Sequence, residues 1–331
     1  MNIKTIKLTT AILFFTGSVF AQSGYKLSKQ IALEGNGKWD YLKEDKKSNR
    51  LFVSHTDRVH VIDLQTEQEI GRIKNLHGVH GIALAPEFNK GFISNGSNNT
   101  VTVFDYKTLD SITSIPLSTE KPDAILFDKS SKKIWVFCGK SNNASVIDPI
   151  SNKEIGTVKI GAAPEFAVSD KKGLIYNNLE EENAIAVIDA LKQKTLRNIQ
   201  LDKNAAPTGL AIDTENKCLF SACAELKKLV VIDLISDKKI AELPISEHVD
   251  AVTYDPERKL IFCPGADGVT TIIRQIDRSK YQVLEKLSTP AGAKTMALNT
   301  KTHYIYFSTA SYIGQTKNIK PGSFRVLVYK N

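Results

Sequence analysis

Apolar and polar positions alternate in short runs along the chain, a period of two that specifies half-buried β-strands. The segment 81–117 is representative. Its runs "GIALAP" (81–86), "KGFISN" (90–95), "TVTVFD" (100–105) and "DSITSIPL" (110–117) are separated by turn-rich "EFN", "GSNN" and "YKTL". The same phrase returns along the sequence. Its third run ends "VHVID", "VTVFD", "ASVID", "IAVID" and "LVVID", placing Asp63, Asp105, Asp148, Asp189 and Asp233 at intervals of 42, 43, 41 and 44 residues. Six units start near Trp39, Val79, Pro122, Pro164, Pro207 and Val249, and a seventh starts near Lys294.

Repeated four-stranded units of this length predict an all-β fold, a seven-bladed β-propeller in which each sheet packs face to face on its neighbours. The last unit is one strand short: after "TMALNT", "HYIYFST" and "FRVLVYK" the sequence ends. An N-terminal run, "YKLSKQIALEG" (25–35), resembles the fourth strands "EIGRIKN" and "EIGTVKIG". Pairing it beside "FRVLVYK" closes the ring, so that N-terminal and C-terminal segments share the seventh blade. Residues 22–331 then form one propeller domain.

The recurring aspartates are turn residues in this scheme. An Asp at the first position of a turn can accept a hydrogen bond from the backbone two residues on, which fixes the hairpin into the fourth strand. Arg274 occupies the place in the sixth unit, a replacement that a ring of catalytic acids would tolerate poorly.

A second set of positions points to chemistry. The second residue of each inner-strand motif is Asp40, His80, Asp123, Glu165, Thr208, Asp250 and Thr295, spaced by 40, 43, 42, 43, 42 and 45 residues. Propeller geometry gathers these at the mouth of the central channel. Crowded carboxylates raise one another's pKa unless a cation or hydrogen-bond donors compensate, so something positive is expected there. Asp40, His80, Asp123, Glu165 and Asp250 are the candidate metal ligands. Carboxylate oxygens suit Ca²⁺ or Mg²⁺, and His80 also permits a transition metal. The competing reading is that each side chain ties down the loop of the neighbouring blade through backbone groups and water.

The residues that end the second strands, His55, Asn95, Cys138, Asn178 and Cys223, are expected at the same mouth, with His55 and His80 meeting near the axis. Trp39 either stacks on a ligand or packs between blades. The candidate ligand-binding set is therefore Trp39, Asp40, His55, His80, Asn95, Asp123, Glu165, Asn178, Thr208 and Asp250. His60 alternates outward and is expected in solvent. His77, three residues before His80, makes only a weak H-x-x-H pair, and His248 and His303 lie in loop-like contexts. The insertion "SYIGQTKNIKPGS" (311–323) departs furthest from the repeat; it should project from the mouth-side face, as a lid, a contact loop or a surface excursion.

Composition and the N-terminus add a compartment. Lys4 and Lys7 precede the apolar run "AILFF" (11–15), and "SVFAQ" ends in small Ala21, the pattern of a secretory signal over 1–21. The run is too short to span a bilayer, and no transmembrane segment is expected elsewhere. A periplasmic or secreted protein follows. The formal charge of +8 falls to +6 without Lys4 and Lys7, and with 42% hydrophobic residues the chain can bury a large core. Cys138, Cys218, Cys223 and Cys263 are expected as buried free thiols: Cys218 and Cys223 flank one strand, about 17 Å apart if extended, far beyond disulfide reach. No G-x-S-x-G, Walker or H-E-x-x-H motif is present, and the Lys pairs fall in turns rather than in a nucleic-acid-binding stripe. No nucleic-acid partner is expected.

The chain also resembles the YVTN-repeat propellers of the YncE-like group, through "WDYL", "GVHGIALAP", "PDAILFD", "PEFAV", "PTGLAID", "VDAV" and "PGSFRVLV". The eponymous tetrad survives loosely as "FVSH" (52–55) and "FISN" (92–95) and decays to "WVFC", "FSAC" and "FCPG". This resemblance implies an exported propeller without an assigned reaction. The expected function is non-enzymatic binding of a small ligand, cation or partner protein at the channel mouth by a monomer. The alternative is a metal-dependent lyase or lactonase using the same mouth, with His80 or His55 as general base.

Overall fold

A computed structural model describes residues 23–314 and 316–331. Seven antiparallel sheets of four strands form a closed ring, each sheet ordered as the strands occur in sequence except the last. We call the strands of each blade a to d from the channel outward. In blade 2 these are Val79–Ala85, Lys90–Asn95, Thr100–Asp105 and Ser111–Pro116, within a residue or two of the sequence expectation. Blade 7 takes strands a to c from Met296–Leu298, Ile305–Thr309 and Arg325–Lys330, and strand d from Lys26–Ala32. The two ends of the chain pair antiparallel from Lys26 with Lys330 to Ala32 with Arg325, which is the closure that the orphan N-terminal run anticipates. The leader expected over 1–21 lies outside the described residues. Among the described residues no helix is long and apolar enough to cross a membrane.

Burial follows from the radial arrangement. A blade has a neighbour on each face, so strands b and c bury both sets of alternating side chains. Strand b of blade 1 (Arg50–His55) is buried at every position, whereas strand d (Gln68–Ile73) exposes much of its length. The apolar interior is accordingly divided into seven clusters, each shared by two adjacent blades. Phe52 of blade 1 against Phe104 of blade 2, with ring centroids 5.8 Å apart, is one such contact. Each fully buried aromatic or aliphatic side chain of this kind contributes about 1.5–3 kcal/mol.

The double-sided burial corrects one expectation. His60, on strand c of blade 1, is fully buried rather than solvated. Its Nδ1 lies 2.6 Å from Glu69 Oε1 and its Nε2 3.3 Å from His55 Nδ1, so the imidazole exchanges solvent for two side-chain partners. The four cysteines are free and buried, as expected. Burial pushes the Cys138 thiol up to about 11 and the Cys223 thiol up to about 12, which keeps both protonated and unreactive.

The recurring aspartates close the c–d hairpins. Asp63 Oδ1 accepts the backbone N–H groups of Gln65 (3.0 Å) and Thr66 (2.7 Å). Asp105 does the same for Lys107 and Thr108, and Asp189 for Leu191 and Lys192. Hydrogen bonds to the ionised carboxylate hold the Asp63 and Asp105 pKa values below the ordinary carboxylate range.

A candidate cation site at the channel mouth

The inner strands are interrupted where the ring residues sit. Regular a–b pairing breaks between Trp39 and Leu42, Val79 and Ile82, Pro122 and Ile125, Pro164 and Ala167, and Pro207 and Leu210. Each gap contains one ring residue: Asp40, His80, Asp123, Glu165 or Thr208. Such irregularities re-aim a side chain that regular pleating would direct into the blade interface. The freed backbone is satisfied from strand b of the same blade or from the preceding blade. Ser94 Oγ donates to Asp123 O (2.5 Å), Asn177 Nδ2 to Glu165 O (2.7 Å) and Thr295 Oγ1 to Asp40 O (2.8 Å). Two glycines permit the close approach of neighbouring inner strands: a Cβ on Gly81 would lie 2.9 Å from Asp123 O, and one on Gly209 2.5 Å from the Ala251 carbonyl carbon.

Asp40, His80 and Asp123, from blades 1, 2 and 3, meet there. His80 Nδ1 donates to Asp40 Oδ2 at 2.6 Å and lies 3.6 Å from Asp123 Oδ1. One ligand atom from each of the three lies within 4.8 Å of the other two. Asp123 Oδ1 is buried without a hydrogen-bond partner among the described residues. Across the ring, Lys294 Nζ donates to Asp250 Oδ2 at 2.6 Å. Buried Tyr41 packs beneath, its ring 5.1 Å from Phe166.

Electrostatics tie the five candidate residues into one unit. Burial alone would lower the His80 pKa, but the Asp40 hydrogen bond and the charges of Asp123 and Asp40 outweigh it and bring it up to about 9. Burial and the charges of Asp40 and Asp250 raise Asp123 to about 7, against the opposing pull of His80. Glu165 rises to about 8 through burial and the charges of Asp123, Glu180 and Asp250. Burial also raises Asp40, which His80 pulls back. Lys294 is raised, its burial outweighed by Asp250. The positive partners anticipated for the acidic throat are therefore His80 and Lys294.

The remaining sequence candidates are placed elsewhere or engaged in the scaffold. His55 and His80 do not pair: His55 stacks on Phe324 of blade 7 at 3.9 Å between ring centroids and faces His60, because the end of strand b turns its side chain into the blade interface. Burial and the neighbouring His60 lower its pKa to about 4. Asn95 donates to Thr100 and Thr102 within its own blade. Asn178 donates to the Thr208 and Gly209 carbonyls of the next blade, and Thr208 Oγ1 donates to Val249 O (2.7 Å). These contacts are the interblade ties of the competing reading. Trp39 Nε1 donates to Gly292 O (3.3 Å), with the indole packed beside Tyr312 and Phe324. His303 is not a bystander either, bonding buried Asp255 at 2.7 Å. Counting the second residue of each inner-strand motif misses Lys294, although the sequence carries a signal: it stands where the other motifs begin with Trp, Val or Pro.

No protein-family model matches the chain. It is similar to Antigen Lp49 of Leptospira interrogans, 27% identical over 214 residues, a match that covers 60% of this chain and 45% of that protein's length. Among solved structures it is similar to the Kuenenia stuttgartiensis hydrazine synthase, with a TM-score of 0.51 and 14% identity over 80% of this chain and 99% of that one. At that identity the likeness extends to the fold alone.

Proposed function

We propose that the chain is an exported binding propeller of the YVTN-repeat, YncE-like kind, acting as a monomer, whose channel mouth captures a divalent cation through Asp40, His80 and Asp123. The carrying observation is their convergence, with one Asp123 oxygen buried and unpartnered. An imidazole between two carboxylates suits Mn²⁺, Ni²⁺ or Zn²⁺ better than Ca²⁺ or Mg²⁺, which prefer an all-oxygen shell. Asp250, held by Lys294, and Glu165, raised to about 8, are better suited to an outer shell that balances charge. The signal-like segment at 1–21 supports export.

Calorimetric titration of chelator-treated protein tests this reading. Because His80 holds its proton up to about 9, binding through its nitrogen at pH 7.5 should release at least about one proton, visible as a dependence of the heat on buffer ionisation enthalpy. Mn²⁺, Ni²⁺ and Zn²⁺ should bind more tightly than Ca²⁺ and Mg²⁺, and His80→Ala should abolish the preference. Absence of saturable binding by all five metals, or binding indifferent to His80→Ala, rejects the proposal.

One observation favours a second reading. The grouping supplies three residues, so a metal held by them would keep coordination positions open, the arrangement that metal-dependent hydrolytic or lyase chemistry requires. Metal-dependent turnover of simple lactones or other esters, lost in Asp123→Ala, would select the enzyme; capture without turnover selects the binding module.

A further inference from the structure

We propose that a second pocket on the same face, beside the acidic throat, binds a small organic anion with an aromatic or apolar body. The cavity, about 550 Å³, opens between the entry to blade 1, the entry and b–c turn of blade 6, the link from blade 6 to blade 7 and the insertion in blade 7. That volume lies in the range of sites for single small molecules. The proposal does not rest on the cation site, which is acidic where this rim is basic, although Lys294 borders both.

The pocket combines a fixed aromatic wall with a basic rim. Trp39, Tyr312 and Ile319 supply the apolar surface. The indole is locked by its hydrogen bond to Gly292 O and by packing on Phe324, at 5.9 Å between centroids. Gly292 has a φ of +81°, and a Cβ there would lie 2.6 Å from Tyr312 Oη and 3.1 Å from Trp39 Cζ2; only glycine lets the three meet.

The insertion, expected as a lid, a contact loop or an excursion, forms a short two-stranded arm. Tyr312 bridges Ile319, Ile313 N–H donates to Asn318 O (2.8 Å) and Lys320 N–H donates to Ser311 O (2.7 Å). Its inner side is therefore a wall organised before any ligand arrives, which limits the ordering cost of binding.

Lys38, Lys294 and Lys317 ring this wall, and none of the lining residues is acidic. Lys294 is engaged by Asp250, while Lys38 and Lys317 have no acidic partner among the described residues. Two exposed ammonium groups at the rim, Lys38 and Lys317, without an acidic partner favour an anion, and the aromatic wall favours a ligand with a face to stack. A polyanion fits poorly, because the neighbouring carboxylates would repel the part that extends past the cavity.

The probe is phenyl phosphate, added to chelator-treated full-length protein and followed by tryptophan fluorescence and calorimetry. The second tryptophan, Trp135, is fully buried in the interface of blades 3 and 4, so a ligand-dependent fluorescence change reports on Trp39. Phenyl phosphate should bind at least about tenfold more tightly than benzyl alcohol, benzylammonium or inorganic phosphate. Replacing exposed Lys38 and Lys317 together by Ala should weaken it at least about tenfold with an unchanged Tm. Asp123→Asn, which disables the cation site, should leave its affinity intact. Equal binding of benzylammonium, no saturation in the millimolar range, or an unchanged affinity in the double variant overturns the proposal.

Discussion

Replacing Asp123 by Asn gives an isosteric side chain that is neutral at every pH, and so isolates the energy of crowding carboxylates in the throat. Burial and the charges of Asp40 and Asp250 raise the Asp123 pKa from its ordinary value of 3.8 to about 7. A carboxylate whose folded pKa lies above its unfolded value stabilises the fold below about pH 4, relative to higher pH, and that stability is lost as pH rises through 7. The wild-type protein should therefore fall behind the Asn variant by about 1.4 kcal/mol per pH unit between pH 4 and 7, reaching a ceiling of about 4 kcal/mol. An unfolding entropy near 2.1 cal/mol/K per residue over roughly 300 residues makes about 4 kcal/mol equivalent to about 6 °C in Tm. Calorimetric melts of both proteins at half-unit steps from pH 4 to 8.5 measure the difference. It should grow with pH and then level off near 7, while the stabilised variant loses cation capture. A Tm difference that is flat across this range, or one that shrinks as pH rises, would refute the account of the throat as a site of mutually raised carboxylates.

Three further outcomes follow from the scaffold. Asn178 is fully buried, with its amide on the Thr208 and Gly209 carbonyls and its oxygen accepting from Ser221, so Asn178→Ala should lower the urea unfolding free energy by about 2–4 kcal/mol; an unchanged midpoint and slope would deny it a structural role. Asp63→Ala frees the N–H groups of Gln65 and Thr66 at an exposed hairpin and should destabilise by about 1 kcal/mol at pH 7. That loss should shrink as pH falls and the wild-type carboxylate is protonated, because its folded pKa lies below the ordinary value; a loss constant down to pH 2 would contradict this. Deleting residues 23–33 strips the fourth strand from blade 7 and bares the edge at Arg325–Lys330, so size-exclusion chromatography should show species larger than the full-length protein or aggregate, and an unchanged elution volume with the original Tm would show that closure is dispensable.

The period, the strands and the closure were legible in the sequence because they rest on local or nearest-neighbour rules. Within a blade each strand pairs with the next one in the chain, a short turn sets most of these pairings, and an orphan run at one end matches a vacancy at the other. The Asp63-type turns were legible for the same reason, since donor and acceptor lie two or three residues apart. Counting once per blade also gathers Asp40, His80 and Asp123 at one end of the ring. What the tertiary structure alone decided is where each side chain points. His60 was expected in solvent because alternation gives a strand one wet face, and strand c between two blades has none. His55 was expected beside His80, but it turned onto Phe324 across the blade 7 interface, a neighbour 269 positions away. Lys294 entered the throat, and the insertion folded back over Trp39, through contacts between blades 6, 7 and 1 that no local pattern encodes. Periodicity fixes the repeat of the backbone; the partners of a side chain depend on which residues the closed ring brings to its other side.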